Sequence, residues 1–251
     1  MSGKVHIGIG GWSYEPWQET FYPKGLPKAR QLAYVGEHLT GTEINATFYR
    51  RQSPASFAKW RDAVPDGFRF ALKGSRYCTN RKDLSEAGEG VENFLAQGLI
   101  ELGDKLGPIN WQLAATKKFD ADEIAAFLAL LPPKHEGLTL RHAIEPRHES
   151  FDDPAFYDLA RKAGVAVVLA DSRKYPAFEK ALDGAPFVYA RLQNAQGKLE
   201  QGYPDDEIAH WAGRIREWSQ DGREVFVFFI NGSKERAPAA AMALIAKLGE
   251  D

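Results

Sequence analysis

The sequence predicts an α/β fold, a single TIM-type (β/α)8 barrel over residues 1–251. Two observations lead to this prediction: eight short apolar runs alternate with helical patterns, and no linker or change of composition divides the chain. With 251 residues, 44% of them hydrophobic, the chain is long enough to bury one such core. An open doubly wound sheet is the alternative, but the glycine cluster Gly8–Gly11 lacks the GxGxxG spacing typical of a dinucleotide-binding sheet.

The predicted strands are β-rich and short, as buried parallel strands are. They are Val5–Gly10, Thr42–Asn45, Phe68–Lys73, Ile109–Leu113, His142–Glu145, Val165–Asp171, Phe187–Arg191 and Val225–Asn231. Helical patterns fill the intervals. Ser53 and Asp153 each precede a proline and predict helix N-caps, and Asp120 with Glu123 predicts a third helix start.

Composition and charge limit the classes of partner and compartment. A formal net charge of -2, from 32 basic and 34 acidic residues, gives no long-range attraction to nucleic acid or membranes, although it leaves room for a local basic patch. The single cysteine, Cys78, excludes an internal disulfide and a paired-cysteine metal site. No signal-peptide pattern or membrane-length apolar run occurs. We therefore expect a cytoplasmic protein without a membrane partner. The sequence does not indicate the oligomeric state.

Alternation along the strands predicts which side chains point into the barrel. Ile44 is apolar, so Glu43 and Asn45 share the other face of their strand, and the same rule turns Lys73 inward. Seven of the eight strands have late polar positions, which are Asn45, Lys73, Gln112, Glu145, Arg147, Asp171, Arg191 and Asn231. Because enzymes with this fold keep their sites at the C-terminal ends of the strands, we predict one polar pocket there.

The residue types in this pocket suggest acid–base chemistry on a small anionic or sugar-like ligand. Glu145 and Asp171 are the candidate general acid and base. Lys73 is a third catalytic candidate, as an oxyanion binder or as a base or nucleophile of lowered pKa. The substrate-binding candidates are Arg147, Arg191, Glu43, Asn45, Gln112 and Asn231. The alternative is a buried ion-pair network without a chemical role, since the charges of the set nearly cancel.

Three further side chains have two interpretations each. His148 either titrates near neutrality at the pocket or is a capping or packing residue. Trp12 and Tyr14, in the long loop after the first strand, either stack on a sugar or base or pack into a lid over the barrel mouth. Glu43, Glu145, Asp171 and His148 are metal-ligand types, but no metal-binding spacing accompanies them, so we predict no metal and no cofactor.

Several long motifs resemble those of the YecE-like family, domain of unknown function 72. They are GGWSYEPW (Gly10–Trp17), FYP (Phe21–Pro23), TEINATFYR (Thr42–Arg50), PDGFRFALK (Pro65–Lys73), LGDKLGP (Leu102–Pro108), EPRHESF (Glu145–Phe151), VLADS (Val168–Ser172) and YARL (Tyr189–Leu192). The resemblance covers nearly the whole chain and implies a TIM-type barrel, but it implies no activity. The chain departs from the family pattern at Pro146, at Leu113–Ala115, at Asn231–Gly232 and at Gln193, where relatives often have a histidine.

The sequence is compatible with three functional hypotheses. The leading one is an enzyme, a hydrolase, lyase or isomerase, that acts on a small anionic or polyhydroxylated molecule. The second is a nucleic-acid binding or processing protein, suggested by aromatic and arginine residues in 12–30 and 49–51 and by the distant likeness of the family to endonuclease IV-type barrels. The balanced charge counts against it. The third is a non-catalytic ligand-binding barrel.

Overall fold

Parallel strands close into a barrel, which confirms the predicted fold class. A computed structural model describes the backbone of residues 2–250 and all of their side chains except that of Asp221. The strands of the barrel are β1 Val5–Gly10, β2 Gly41–Ile44, β3 Arg69–Lys73, β4 Leu106–Gln112, β5 His142–Glu145, β6 in two pieces (Ala166–Val167 and Leu169–Asp171), β7 Val188–Leu192 and β8 Val225–Phe229; a separate antiparallel pair is formed by Lys134–His135 and Leu138–Thr139. The first piece of β6 pairs with β5 and the second with β7, so the sheet closes into a ring.

Helices follow the strands and cover the outside of the ring. They are α1 Trp17–Thr20, α2 Gln31–His38, α3 Ala46–Tyr49, α4 Pro54–Asp62, α5 Arg76–Thr79, α6 Gly88–Leu95, α7 Ala121–Ala129, α8 Pro154–Lys162, α9 Asp205–Ser219 and α10 Ala237–Leu248. Short 3-10 turns lie at Lys28–Arg30, Leu84–Ala87, Leu99–Lys105, Glu149–Phe151, Glu179–Leu182, Gln220–Gly222 and Lys234–Arg236. Between residues 2 and 250, none of the helices combines the length and apolar character that crossing a membrane requires. The predicted domain of residues 1–251 also includes Met1 and Asp251, which lie outside the described residues.

The predicted N-caps are confirmed. The Ser53 hydroxyl accepts a hydrogen bond from the backbone N–H of Ser56 at 3.2 Å at the start of α4. The Asp120 carboxylate accepts one from the N–H of Glu123 at 2.9 Å before α7. Each bond satisfies an N–H that the first helical turn leaves without a partner, which fixes where the helix begins.

Aromatic rings from two strands fill the lower barrel interior against small residues from the others. The interior cluster comprises Ala71, Ala143, Ala166, Val168, Phe187, Tyr189, Phe226, Phe228 and Ile230. A Cβ at Gly8 would overlap the carbonyl oxygen of Gly41, so the two strands approach each other there only because Gly8 has no side chain. This apolar floor lies below the inward polar side chains at the C-terminal end of the barrel.

The inward register predicted for the ends of β6 and β8 is wrong. Val225, Val227 and Phe229 pack in the outer core against the helices, and Phe226 and Phe228 fill the interior. Asn231 therefore does not continue an inward row. Asp171 alternates with Leu169, which also belongs to the outer core. Both strands are apolar on both faces, so hydrophobic alternation holds no information about their orientation.

Candidate active site at the barrel mouth

A buried arginine links two glutamates across the barrel mouth. Arg191 at the end of β7 is 1% exposed, and Glu43 of β2 and Glu145 of β5 are fully buried. Arg191 Nη2 and Nε donate to Glu43 Oε1 and Oε2 at 2.9 and 3.1 Å. Arg191 Nη1 donates to Glu145 Oε2 at 2.7 Å and to Oε1 at 2.9 Å. The planar guanidinium thus bridges strands on opposite sides of the ring.

Neutral donors complete the coordination of both carboxylates. The Tyr189 hydroxyl donates to Glu43 Oε2 at 2.6 Å, and Asn110 Nδ2 donates to Glu145 Oε2 at 2.9 Å. Burial, followed by the negative charge of Glu43, raises the pKa of Tyr189 well above its ordinary value. Tyr189 therefore stays a neutral phenol and keeps its donor role.

A second arginine contacts Glu145 from the solvent side. Arg147 Nη2 and Nε donate to Glu145 Oε1 at 2.9 and 3.1 Å, and Nη2 also donates to Gln112 Oε1 at 2.8 Å. Burial raises the pKa of Glu145, but the guanidinium groups of Arg191 and Arg147 outweigh it, and the net shift is downward. Glu145 is held as a carboxylate. We refer to Glu43, Glu145, Arg147 and Arg191 as the ion-pair network.

Lys73 lies beside this network without joining it. Its side chain comes from the end of β3 and is 6% exposed. Its ammonium sits 4.2 Å from the centre of the Phe48 ring and has no hydrogen bond or ion pair with any residue between 2 and 250. Burial lowers the pKa of Lys73 to about 8, against an opposing effect of Glu43 and with a contribution from Arg191 in the same direction.

A cleft of about 500 Å³ opens beside the network above β5–β8. Three cationic side chains line it, Arg147, Arg173 and Lys174. Amides add donors and acceptors: Gln193, Asn194 and Asn231. Asn231 Nδ2 donates to Gln193 Oε1 at 3.2 Å, and the buried Nε2 of Gln193 has no partner among the described residues. No carboxylate belongs to the described lining, so the cleft suits an anion.

Asp171 points away from the pocket, whereas Asn45 lies outside its predicted strand but keeps its amide on the inward side of β1. Asp171 accepts a hydrogen bond from Asn194 Nδ2 at 2.8 Å on the helix-facing side of β6, and burial raises its pKa. It does not meet Glu145. Asn45 lies at the N-cap position of α3, not in a strand, with its amide beside Gly10 at the rim of β1.

The remaining candidates make capping and packing contacts. His148 Nδ1 accepts from the N–H of Ser150 at 3.1 Å and caps the turn Glu149–Phe151. The ring of Trp12 packs edge-on against Trp60 at 5.4 Å. Tyr14 packs against Trp17 at 5.3 Å, with the Lys234 ammonium 4.7 Å from its ring. The rings of Trp12 and Tyr14 are half-buried in the segment that follows β1.

Sequence reasoning missed several side chains of the site. Tyr189 and Gln193 share the inward face with Arg191 by alternation, so a signal for them existed in the sequence. Arg173, Lys174 and Tyr175 belong to the loop after β6, where no periodicity applies. Within residues 2–250, no group of three or more His, Cys, Asp or Glu side chains is arranged to hold a metal ion.

Known proteins resemble this chain in sequence or in fold. The protein YecE of Escherichia coli strain K12 is 27% identical over 177 residues, covering 67% of this chain and 60% of YecE, so the match spans less than two thirds of that relative. YunF of Bacillus subtilis strain 168 is 23% identical over 258 residues, covering 91% of this chain and 89% of YunF. The crystal structure of a DUF72 family protein from Thermotoga maritima is 24% identical, covers 99% and 100% of the two chains and has a TM-score of 0.79.

More distant structures share the barrel alone. A sugar phosphate isomerase/epimerase from Parabacteroides distasonis has 14% identity and a TM-score of 0.53, over 100% and 96% of the two chains. Endonuclease IV from Thermus thermophilus has 13% identity and a TM-score of 0.53, over 99% and 100%. The profile of the family described as "Protein of unknown function DUF72" matches residues 6–251. The chain therefore belongs to the DUF72 family.

Proposed function

We propose that the protein is an enzyme that binds a small anionic or polyhydroxylated substrate at the barrel mouth and moves a proton on it, with Lys73 as the acid–base group. The observation that carries this proposal is the contrast between Lys73 and its neighbours. Arg191 and Glu145 have their hydrogen-bonding groups occupied by one another, whereas the Lys73 amine has no partner in the described chain.

The surroundings of Lys73 suit proton transfer near neutral pH. A general acid or base is most effective when its pKa is close to the working pH, and the pKa of Lys73 is lowered to about 8. Glu145, which the sequence suggested as acid or base, is an ionised carboxylate held by two arginines and is a weak base. We assign Glu145 and Arg191 to positioning, because they fix the side chains around the amine.

The cationic cleft supplies the binding half of the proposal; Lys73 does not line it, but Arg147 belongs both to the cleft and to the ion-pair network beside Lys73. Arg147, Arg173 and Lys174 provide charge for a phosphate or carboxylate, and Gln193 and Asn231 provide amides for hydroxyl groups. A sugar phosphate combines both features. One protein of the same fold is by name a sugar phosphate isomerase/epimerase, but at 14% identity this likeness concerns the fold, so the substrate class rests on the lining of the cleft.

Solvent hydrogen exchange tests the acid–base assignment without knowledge of the product. The protein is incubated in D2O with a panel of sugar phosphates and hydroxy-ketone phosphates, and proton NMR follows the hydrogens next to each carbonyl. We expect catalysed loss of these signals for at least one compound, abolished in Lys73→Met and retained in Lys162→Met. Lys162 is an exposed lysine at the end of α8, and its replacement leaves the mouth intact. Exchange at an equal rate in Lys73→Met contradicts the role of Lys73.

Calorimetric titration with the same panel tests the cleft. Replacement of both Arg173 and Lys174 by alanine removes exposed cations without breaking the ion-pair network. We expect affinity for phosphate-bearing compounds to fall roughly tenfold or more, since each charge-assisted contact contributes about 1.5–3 kcal/mol before solvent screening. Lys162→Ala is the matched control. Unchanged affinity in the double variant places anion binding elsewhere on the protein.

A further inference from the structure

Two tyrosines project into solvent on the side of the barrel mouth opposite the cleft. Tyr49 at the end of α3 is 57% exposed, and Tyr77 in α5 is 64% exposed. They are the exposed large hydrophobic side chains within the described chain. Both helices directly follow the C-terminal ends of neighbouring strands, β2 and β3, so the two rings share one rim of the barrel.

One arginine lies against both rings, and three more lie in the adjoining groove. The guanidinium carbon of Arg76 lies 5.7 Å from the centre of the Tyr49 ring and 5.6 Å from that of Tyr77. Arg81 Nε donates to the carbonyl oxygen of Tyr77 at 2.8 Å. Arg50, Arg51 and Arg81 line a groove of about 320 Å³ together with Tyr77. We call the set Tyr49, Arg50, Arg51, Arg76, Tyr77 and Arg81 the tyrosine–arginine surface.

These four arginines lack the ion pairs that several other surface arginines of the protein have. None of the four has an ion-pair partner between residues 2 and 250. By contrast, Arg161 pairs with Asp158 at 2.6 Å and Arg214 pairs with Glu179 at 2.6 Å. One carboxylate, Glu89, also lines the groove. A chain with a formal net charge of -2 thus carries a local excess of cations at this rim.

We infer that the tyrosine–arginine surface binds single-stranded nucleic acid. Exposed aromatic rings provide faces on which unpaired bases stack, and interleaved arginines contact the phosphates and the ring faces. A duplex keeps its bases stacked on one another and offers only its phosphates to such a surface. An acidic peptide satisfies the arginines but leaves two solvent-exposed rings without a partner. The geometry therefore favours a polyanion that carries flat rings.

Fluorescence anisotropy with a labelled oligothymidine of roughly 12 nucleotides, at about 20 mM KCl, tests this inference. We expect binding that weakens with salt. Replacement of both tyrosines by alanine weakens it by at least roughly tenfold, since stacking contributes about 1–3 kcal/mol per base. The corresponding double phenylalanine variant retains binding because it keeps the ring faces.

Arg50→Gln lowers the slope of log affinity against log salt by about 0.7. Lys162→Gln, on another face, is the control.

Two competitors separate the partner classes. Unlabelled oligothymidine displaces the probe, and a duplex of the same length displaces it more weakly. If poly-glutamate competes as well as the oligonucleotide and the double alanine variant binds normally, the surface recognises acidic protein segments, and the inference is wrong. The absence of binding at low salt in the wild type also overturns it. Neither outcome bears on the cleft and Lys73, which are tested with small molecules.

Discussion

Two buried cations of the barrel mouth, Arg191 and Lys73, have opposite environments. Arg191 directs its guanidinium to two glutamates and Gln112, so it is a fixed part of the wall. Lys73 is almost as deeply buried, but its ammonium contacts the face of Phe48 and has no carboxylate within ion-pair distance in the described chain. Burial alone therefore does not identify a reactive group, whereas the set of partners does.

The two environments also differ in the free-energy cost of burying the cation. Removing a charge from water costs several kcal/mol, and a network that supplies every hydrogen bond offsets that cost. Lys73 receives only the longer-range field of Glu43 and Glu145 and a cation–π contact. The fold therefore holds Lys73 at a net cost, which is typical of a residue retained for chemistry.

Removal of the paired cation is expected to have the largest effect. Arg191→Met leaves Glu43 and Glu145 buried without their principal partner, and breaking a buried ion pair costs about 3–5 kcal/mol. Urea denaturation at pH 7 measures the loss in the free energy of unfolding. Arg161→Met is the control, because its ion pair with Asp158 is exposed and contributes about 1 kcal/mol or less.

A second variant distinguishes a broken network from a simple loss of packing. Combining Arg191→Met with Glu43→Gln and Glu145→Gln removes the unpaired charges and is expected to recover part of the stability. If the triple variant is less stable than Arg191→Met alone, the carboxylates are not the source of the destabilisation. The contrast with Lys73 then loses its basis.

Removal of the unpaired cation is expected to stabilise the protein. The pKa of Lys73 is about 8 in the folded protein and ordinarily 10.5, so the unfolded chain binds more protons between these values. Below pH 8 the ammonium is charged in both states and its burial cost is fully present. Lys73→Met is therefore more stable than wild type by about 1–3 kcal/mol at pH 7.

The stability difference between Lys73→Met and the wild type is expected to shrink as the pH rises. As the pH rises from 8 towards 10.5, folding no longer buries a charge at Lys73, the wild type gains stability, and the advantage of Lys73→Met disappears. Urea melts of both proteins at pH 7, 9 and 10 measure the difference, and subtraction cancels other titrating groups. A difference that stays constant over this range shows that the pKa of Lys73 is not lowered.

The distribution of polar and apolar residues over the two faces of each strand explains which parts of the site the sequence predicted. In β2, β3, β4 and β5 one face is apolar and the other polar, so alternation placed Glu43, Lys73, Gln112 and Glu145 inward. β6 and β8 are apolar on both faces, and there the register of Asp171 and Asn231 was wrong. The pattern predicted a ring of charges, but it held no information on how they pair.

Pairing depends on contacts across the ring that no local pattern encodes. Arg191 meets Glu43 and Glu145, which are 148 and 46 residues away in the chain. Only the closure of the barrel decides that both glutamates contact Arg191 rather than Lys73. The sequence therefore left open whether the polar ring is a reactive centre or a structural network, and the structure contains a network with one cation outside it.

The smallest predicted effect concerns His148, which lies beside the network in the chain but caps the turn Glu149–Phe151. His148→Ala removes the acceptor for the N–H of Ser150 and is expected to cost about 0.5–1 kcal/mol of unfolding free energy, measured by urea denaturation. His148→Asn retains stability, because asparagine accepts the same bond. Affinity for phosphate-bearing compounds stays unchanged in both, since the cleft is lined by Arg147 and not by this ring. Weaker binding with unchanged stability in His148→Ala would instead assign the imidazole to the substrate and extend the reactive region beyond Lys73.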